Sequence, residues 1–134
     1  MQLKITTDYA IRMLKYLACK DGVIQSKEVA EQMGIPVKYL INLGGRLKEG
    51  GLISTHQGKY GGYTLAKEPE KILIYEVMCV MDDPINVNPY SKEKKQSDIT
   101  IKDRQISKFY NQTQDRLLQV FAKQTIADLR DGQV

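Results

Sequence analysis

Residues 26–66 read SKEVAEQMGIPVKYLINLGGRLKEGGLISTHQGKYGGYTLA, and the glycines and prolines that punctuate this stretch decide the fold. From Ser26 to Met33 the spacing predicts a short helix, with Ser26 as N-cap and Glu28 favourably placed in the first turn. Val29, Ala30 and Met33 form its apolar face, and Gly34 stops it. Pro36 suits a first helical position, so the next helix runs from near Pro36 to about Glu49, with Ile35, Leu40, Leu43 and Leu47 as core contacts. Two helices joined by a tight glycine-containing turn make a helix-turn-helix. Gly44 and Gly45 sit inside the second helix, where each costs about 1 kcal/mol relative to alanine. They serve either a close approach or a bend. Gly50-Gly51 ends this helix, and a hairpin follows: Leu52–His56 as one strand, Gln57–Gly61 as the turn, Gly62–Leu65 as the other strand. A lone two-stranded hairpin is marginal, so it must lean on the helices, which is a winged-helix arrangement.

Working outward, Thr7 to Lys20 carries Tyr9, Ala10, Met13, Leu14, Leu17 and Ala18 on one helical face, with Thr7 or Asp8 as cap and Gly22 beyond the end. After Pro69, Ile72–Met81 reads as a fourth helix with Val77, Met78 and Met81 inward, broken by Asp82-Asp83-Pro84. Residues 84–100 read as a loop or linker. The longest helical pattern spans Ile101–Lys123, where Ile106, Phe109, Tyr110, Thr113, Leu117, Val120 and Phe121 form a seam of the kind helices use to pair. Thr125 caps a last turn over Ile126–Leu129, with Asp128 completing a capping box. The fold expected is mostly α with a small β-hairpin: a winged helix-turn-helix followed by a long C-terminal helix.

The chain has 134 residues, 42% of them apolar and 27% charged, which is ordinary globular composition. No apolar run approaches the roughly 20 residues of a membrane span. The first residues do not read as a signal peptide, because Arg12 and Lys15 interrupt the apolar positions, so a cytoplasmic location is expected. Charge is unevenly placed. Residues 1–67 hold ten Lys and Arg against five Asp and Glu, whereas the whole chain is only +4, leaving the second half near neutral. The two cysteines, Cys19 and Cys79, read as small core residues on helix faces rather than as a disulfide, with a thiol switch as the alternative.

Motifs for catalysis are missing, and no enzyme is expected. The single histidine, His56, falls on a wing strand and reads as a surface residue. No metal-ligand spacing occurs. Gly58-Lys59-Tyr60-Gly61-Gly62 is not followed by a helix, so it fails as a phosphate loop. A nucleic-acid reading uses what remains. A helix fits the major groove of double-stranded DNA, and its first turns meet base edges. Here those turns carry Val37, Lys38, Tyr39, Ile41 and Asn42. Asn42 suits adenine, Lys38 suits guanine or phosphate, and Lys27 and Lys59 suit phosphates. The competing reading is a protein-interaction adaptor.

Several stretches together resemble the Rrf-two family of bacterial winged-helix transcriptional regulators. They are Thr7-Asp8-Tyr9-Ala10-Ile11-Arg12, Ile35-Pro36-Val37-Lys38-Tyr39-Leu40, Arg46-Leu47-Lys48-Glu49-Gly50-Gly51-Leu52-Ile53 and Gly58-Lys59-Tyr60-Gly61-Gly62-Tyr63-Thr64-Leu65-Ala66. The resemblance implies a DNA-binding homodimer, read here as a repressor, on a pseudo-palindromic operator. Residues 1–83 would be the DNA-binding domain, 84–100 the linker, and 101–134 the dimerisation helix with its short C-terminal turn. With it, the expected DNA-contacting set is Thr7, Tyr9, Lys27, Val37, Lys38, Tyr39, Asn42, Arg46, Gln57, Lys59 and Tyr60. The expected dimerisation set is Ile106, Phe109, Tyr110, Leu117, Val120 and Phe121. Two departures stand out. The wing tip carries Gln57-Gly58 where the family often has Arg-Gly, and the loop Pro84–Asp98 lacks the three cysteines of cluster-binding members. No iron–sulfur cluster is therefore expected, and the sensing input is read as a small-molecule effector, a partner protein or cysteine oxidation. Tyr75, Tyr90 and Tyr110 read as core aromatics, or else as the lining of an effector pocket.

Overall fold

A computed structural model of the chain describes residues 2–89 and 104–134. The helices are α1 (Ile5–Cys19), α2 (Ser26–Met33), α3 (Val37–Glu49), α4 (Ile74–Val80), α5 (Arg104–Lys123) and α6 (Ile126–Asp131). The strands β1 (Ile53–His56) and β2 (Gly62–Leu65) lie between α3 and α4. Residues 90–100 of the expected loop, Tyr90 included, and the expected start of the long helix at Ile101 fall outside the described residues.

α1 is the hub. Its buried stripe of Thr7, Ala10, Met13, Leu14 and Leu17 meets α2, α3, α4, α6 and β2. Together with Leu40, Leu47, Leu52, Ile72, Met81 and Ile126 it forms one continuous core. The chain ends come back to this core. Thr125 and Asp128 close the capping box at the start of α6, and Ile126 and Ala127 bury its inner face beside α1. Leu73 and Thr125 pair as an isolated bridge that ties α6 to the start of α4.

Three expected helix starts are corrected. α1 begins at Ile5, two residues before Thr7, with extended Lys4 at its N-cap and no side-chain cap; Asp83 Oδ2 fixes this start from a distance, accepting from the Lys4 backbone N–H at 2.9 Å and from Thr7 Oγ1 at 2.7 Å. Ser26 is the first helical residue of α2, preceded by Gln25 in extended conformation with no side-chain cap. Pro36 takes the N-cap position of α3, its carbonyl accepting from Leu40 at 3.0 Å. Strand β1 starts at Ile53 rather than Leu52, whose side chain is buried in the core.

The hairpin pairs Ile53 with Leu65, Ser54 with Thr64, Thr55 with Tyr63 and His56 with Gly62. It gains a third partner that the sequence did not announce. Ile24, just before α2, exchanges both backbone hydrogen bonds with Tyr63, at 3.0 and 2.8 Å. Gly62 permits this, since a Cβ there would collide with the Ile24 carbonyl oxygen. No helix among the described residues is long and apolar enough to cross a membrane.

Candidate nucleic-acid interface

α3 has two faces. Leu40, Leu43, Gly44 and Leu47 are buried, while Val37, Lys38, Tyr39, Ile41 and Asn42 are exposed; Tyr39 and Ile41 stand 51% and 60% open. Large apolar side chains exposed together beside a lysine and an amide on one short helix face make a contiguous patch of the kind that marks a binding surface. Tyr9 of α1 is half-buried, and its ring lies 6.4 Å from that of Tyr39, so the two aromatics share one patch. Arg46, a turn beyond Asn42, is half-buried. Thr7 does not join them: it is fully buried and its hydroxyl is held by Asp83.

Lys27 at the start of α2 lines one polar groove together with Gln57, Gly58 and Lys59 of the wing. Tyr60 at the wing tip is 79% exposed, and Lys59 Nζ lies 5.7 Å from its ring centroid. His56 is exposed and shares a 3.0 Å hydrogen bond with Thr64 Oγ1. Wing and α3 are locked together by a contact that sequence reasoning left open. A Cβ on Gly44 would lie 2.8–3.0 Å from three atoms of the Tyr63 ring, so the bare glycine is what lets that ring seat against α3. Burial raises the Tyr63 phenol above its ordinary pKa. Gly45, one residue on, has nothing within 4 Å.

The seam of α5 divides into two stripes. Ile106, Phe109 and Val120 are exposed, Phe109 at 63%. Tyr110 is half-buried, its ring 6.1 Å from that of Phe109. Leu117 and Phe121 instead turn toward their own chain, where Phe121 packs on the core and Leu117 lines a cavity beside it. Cys19 and Cys79 are both exposed, contrary to the expectation of buried thiols. Cys19 ends α1 beyond its buried stripe, and Cys79 falls between the inward residues Met78 and Met81 on the outer side of α4. Tyr75 is exposed on the same helix rather than packed in the core.

A helix-turn-helix with a hairpin wing packed on its second helix defines the winged helix-turn-helix class, and here a long amphipathic helix is appended to it. The family model described as "Rrf2: Iron-dependent Transcriptional regulator" matches residues 3–132, and the chain belongs to that family, which is one of regulators rather than enzymes. The chain is 40% identical over 89 residues to the transcriptional regulator NsrR of Shouchella clausii, covering 65% of this chain and 60% of that protein. It is 31% identical over 88 residues to IscR of Photorhabdus laumondii, covering 64% of this chain and 54% of that one. It thus spans between half and two thirds of the length of these relatives. Among solved structures, CymR, the global cysteine regulator of B. subtilis, shares the fold with a TM-score of 0.80 at 23% identity, over 98% of this chain and 97% of that one.

The family's iron can be tested against this chain's own donors. Protein-held clusters need several soft ligands, usually thiolates, converging on one point. The sequence offers two cysteines and one histidine, and none of them lies in residues 84–103. Among the described residues, no three His, Cys, Asp or Glu side chains come together as a metal site. Cys19, Cys79 and His56 sit on α1, α4 and the wing. This donor set does not fit a cluster.

Proposed function

We propose that this chain is a sequence-specific DNA-binding transcriptional regulator that acts in the cytoplasm as a homodimer and represses by occupying its operator. The observation that carries the reading is the outer face of α3, where Val37, Lys38, Tyr39, Ile41 and Asn42 are exposed while the opposite face is locked into the core. Such a helix enters the major groove with its first turns against base edges. Asn42 reads adenine through its amide, and Lys38 meets guanine or phosphate. Lys27 and Lys59, on one groove, hold the backbone, and Tyr9, Arg46, Gln57 and Tyr60 flank these contacts.

The exposed stripe Ile106, Phe109 and Val120 supports pairing of α5 with a second copy. An apolar stripe on a long helix marks an association surface, and a two-fold dimer is its commonest closed outcome. Two recognition helices related by that axis would read a pseudo-palindrome. The protein works without an iron–sulfur cluster, so its signal enters elsewhere.

Selection of bound sequences from random duplexes, followed by fluorescence anisotropy across a salt series, tests the reading. Lys27, Lys38 and Lys59 from each of two subunits predict a slope of log K against log salt of about −5. Failure to enrich any sequence, or affinity indifferent to salt, would favour the protein-adaptor reading instead.

A further inference from the structure

The outer face of α3 carries two rows of side chains at four-residue steps. At about 100° per residue, Val37, Ile41 and Gly45 follow one another along one row, and Lys38, Asn42 and Arg46 along the next. Gly44, which seats the Tyr63 ring of the hairpin, lies beside the first row, so that row runs on the wing side of the helix. Tyr39, whose ring meets that of Tyr9, lies beyond the second. The first row is apolar and uncovered. Val37 is 48% and Ile41 60% exposed, and a Cβ at Gly45 would have nothing within 4 Å. Four-residue neighbours on a helix share a face, so Val37 and Ile41 form one apolar window. The bare backbone of Gly45 leaves its far edge open to an approaching ligand.

The surroundings of this window select what can meet it. Lys38 stands in the next row and Lys48 beyond Gly45, both exposed, while the one acid on α3, Glu49, is its last residue. Lys27 and Lys59 line the groove between α2 and the wing. A complementary surface therefore presents an apolar group set among negative charges. The major groove of double-stranded DNA does so at one base only: thymine displays a C5-methyl there, between two strands of phosphates. The spacing also fits. Consecutive Cα atoms stand about 3.8 Å apart and successive nucleotides about 3.4 Å, so Ile41 falls one base pair from the base that Asn42 meets.

We propose that Ile41, flanked by Val37, reads a thymine through its C5-methyl at the base pair next to the one contacted by Asn42. Isoleucine has no hydrogen-bonding side-chain group, so its discrimination at this position comes from burying the methyl. This assignment rests on the DNA-binding reading and deepens it, since it adds to each half-site a base that the polar row of α3 does not specify.

The test uses the full chain and the duplex it enriches from unmodified random DNA, in which thymine is the only source of a C5-methyl. Each thymine is replaced in turn, symmetrically in both half-sites, by deoxyuridine, which keeps every hydrogen-bonding group and removes the methyl alone. Fluorescence anisotropy at one fixed salt concentration should show affinity falling about fourfold per half-site at one position, the loss expected for one buried methyl. That position should adjoin the base pair at which Asn42→Ala relaxes preference. Ile41→Ala, a change at an exposed site that leaves the core intact, should weaken binding to the thymine duplex and make the protein indifferent to the methyl. Lys38→Ala should weaken both duplexes alike and keep the full methyl sensitivity. An enriched sequence with no uracil-sensitive thymine, or an Ile41→Ala protein that still loses about fourfold, would overturn the proposal and leave the DNA-binding reading standing. Failure to enrich any duplex would overturn both.

Discussion

Replacing Gly44 and Gly45 separately by alanine should have clearly different effects on stability, a gain at Gly45 and none or a loss at Gly44, although they are neighbours in the same helix. Both substitutions gain the same helical propensity, about 1 kcal/mol from relieving glycine's backbone entropy. Gly45 faces open space, with no atom within 4 Å of the added methyl, so the gain should appear in full. At Gly44 the methyl meets the Tyr63 hydroxyl oxygen at 2.8 Å and two ring carbons at 2.9 and 3.0 Å. Those atoms belong to a rigid ring whose backbone is fixed on both sides, by Thr55 in β1 and by Ile24. Overpacking of this kind costs about 1–3 kcal/mol. Since the propensity gain is common to both variants, their difference isolates the steric cost. Urea unfolding should place Gly44→Ala about 1–3 kcal/mol below Gly45→Ala, with unchanged m-values. Adding Tyr63→Phe to Gly44→Ala removes the closest atom and should recover part of the loss, a coupling that a double-mutant cycle reads directly. If Gly44→Ala were as stable as Gly45→Ala, the contact between wing and recognition helix would not be the reason for the glycine.

Four further outcomes are expected. Lys38→Ala should lower the salt slope of DNA binding by about 1 per subunit, whereas Asn42→Ala should relax preference at one base pair by about 1–3 kcal/mol; wild-type behaviour in both would refute this docking. Phe109→Asp should give monomers in light scattering and weaken operator binding by about two orders of magnitude through lost bivalency, so a Phe109→Asp dimer would exclude this stripe as the interface. Anaerobic treatment with iron and sulfide should leave the protein colourless; near-stoichiometric iron lost on Cys79→Ser would contradict the donor argument. Asp131 is held below the usual carboxylate range by its hydrogen bond to Arg130, and Glu70 is lowered by its own backbone N–H and then by Arg130. Their stabilising contribution is thus complete at neutral pH and lost as pH falls through those lowered values. Arg130→Ala should return the Asp131 carboxyl-carbon titration to the ordinary range, and no movement would rule out the pair.

Local rules carried the fold a long way, and they failed where a distant residue supplied what a nearby one was expected to give. The hairpin, the helix-turn-helix and the Thr125–Asp128 capping box were legible because each is closed by residues within a few positions of one another. The start of α1 differs from the expected one because Lys4 and Thr7 are tied to Asp83, an aspartate seventy-six residues beyond Thr7 that the sequence presents only as part of a helix-breaking Asp-Asp-Pro. That same long-range bond leaves the Thr7 side chain buried and its hydroxyl engaged, away from the exposed face of α3. The seam on α5 was legible as apolar but not as divided. Periodicity gives the direction of Leu117 and Phe121 relative to Phe109 and Val120, yet only α4 packed alongside shows which stripe its own chain covers and which it leaves exposed. The glycine pair shows the limit most plainly. Gly44 and Gly45 have the same composition, the same helix and the same propensity cost, and they differ only in that Tyr63 arrives at one of them from nineteen residues away. The architecture of this molecule depends on such meetings: α3 set against the wing by a ring on a glycine, and the start of α1 held by Asp83 just beyond α4.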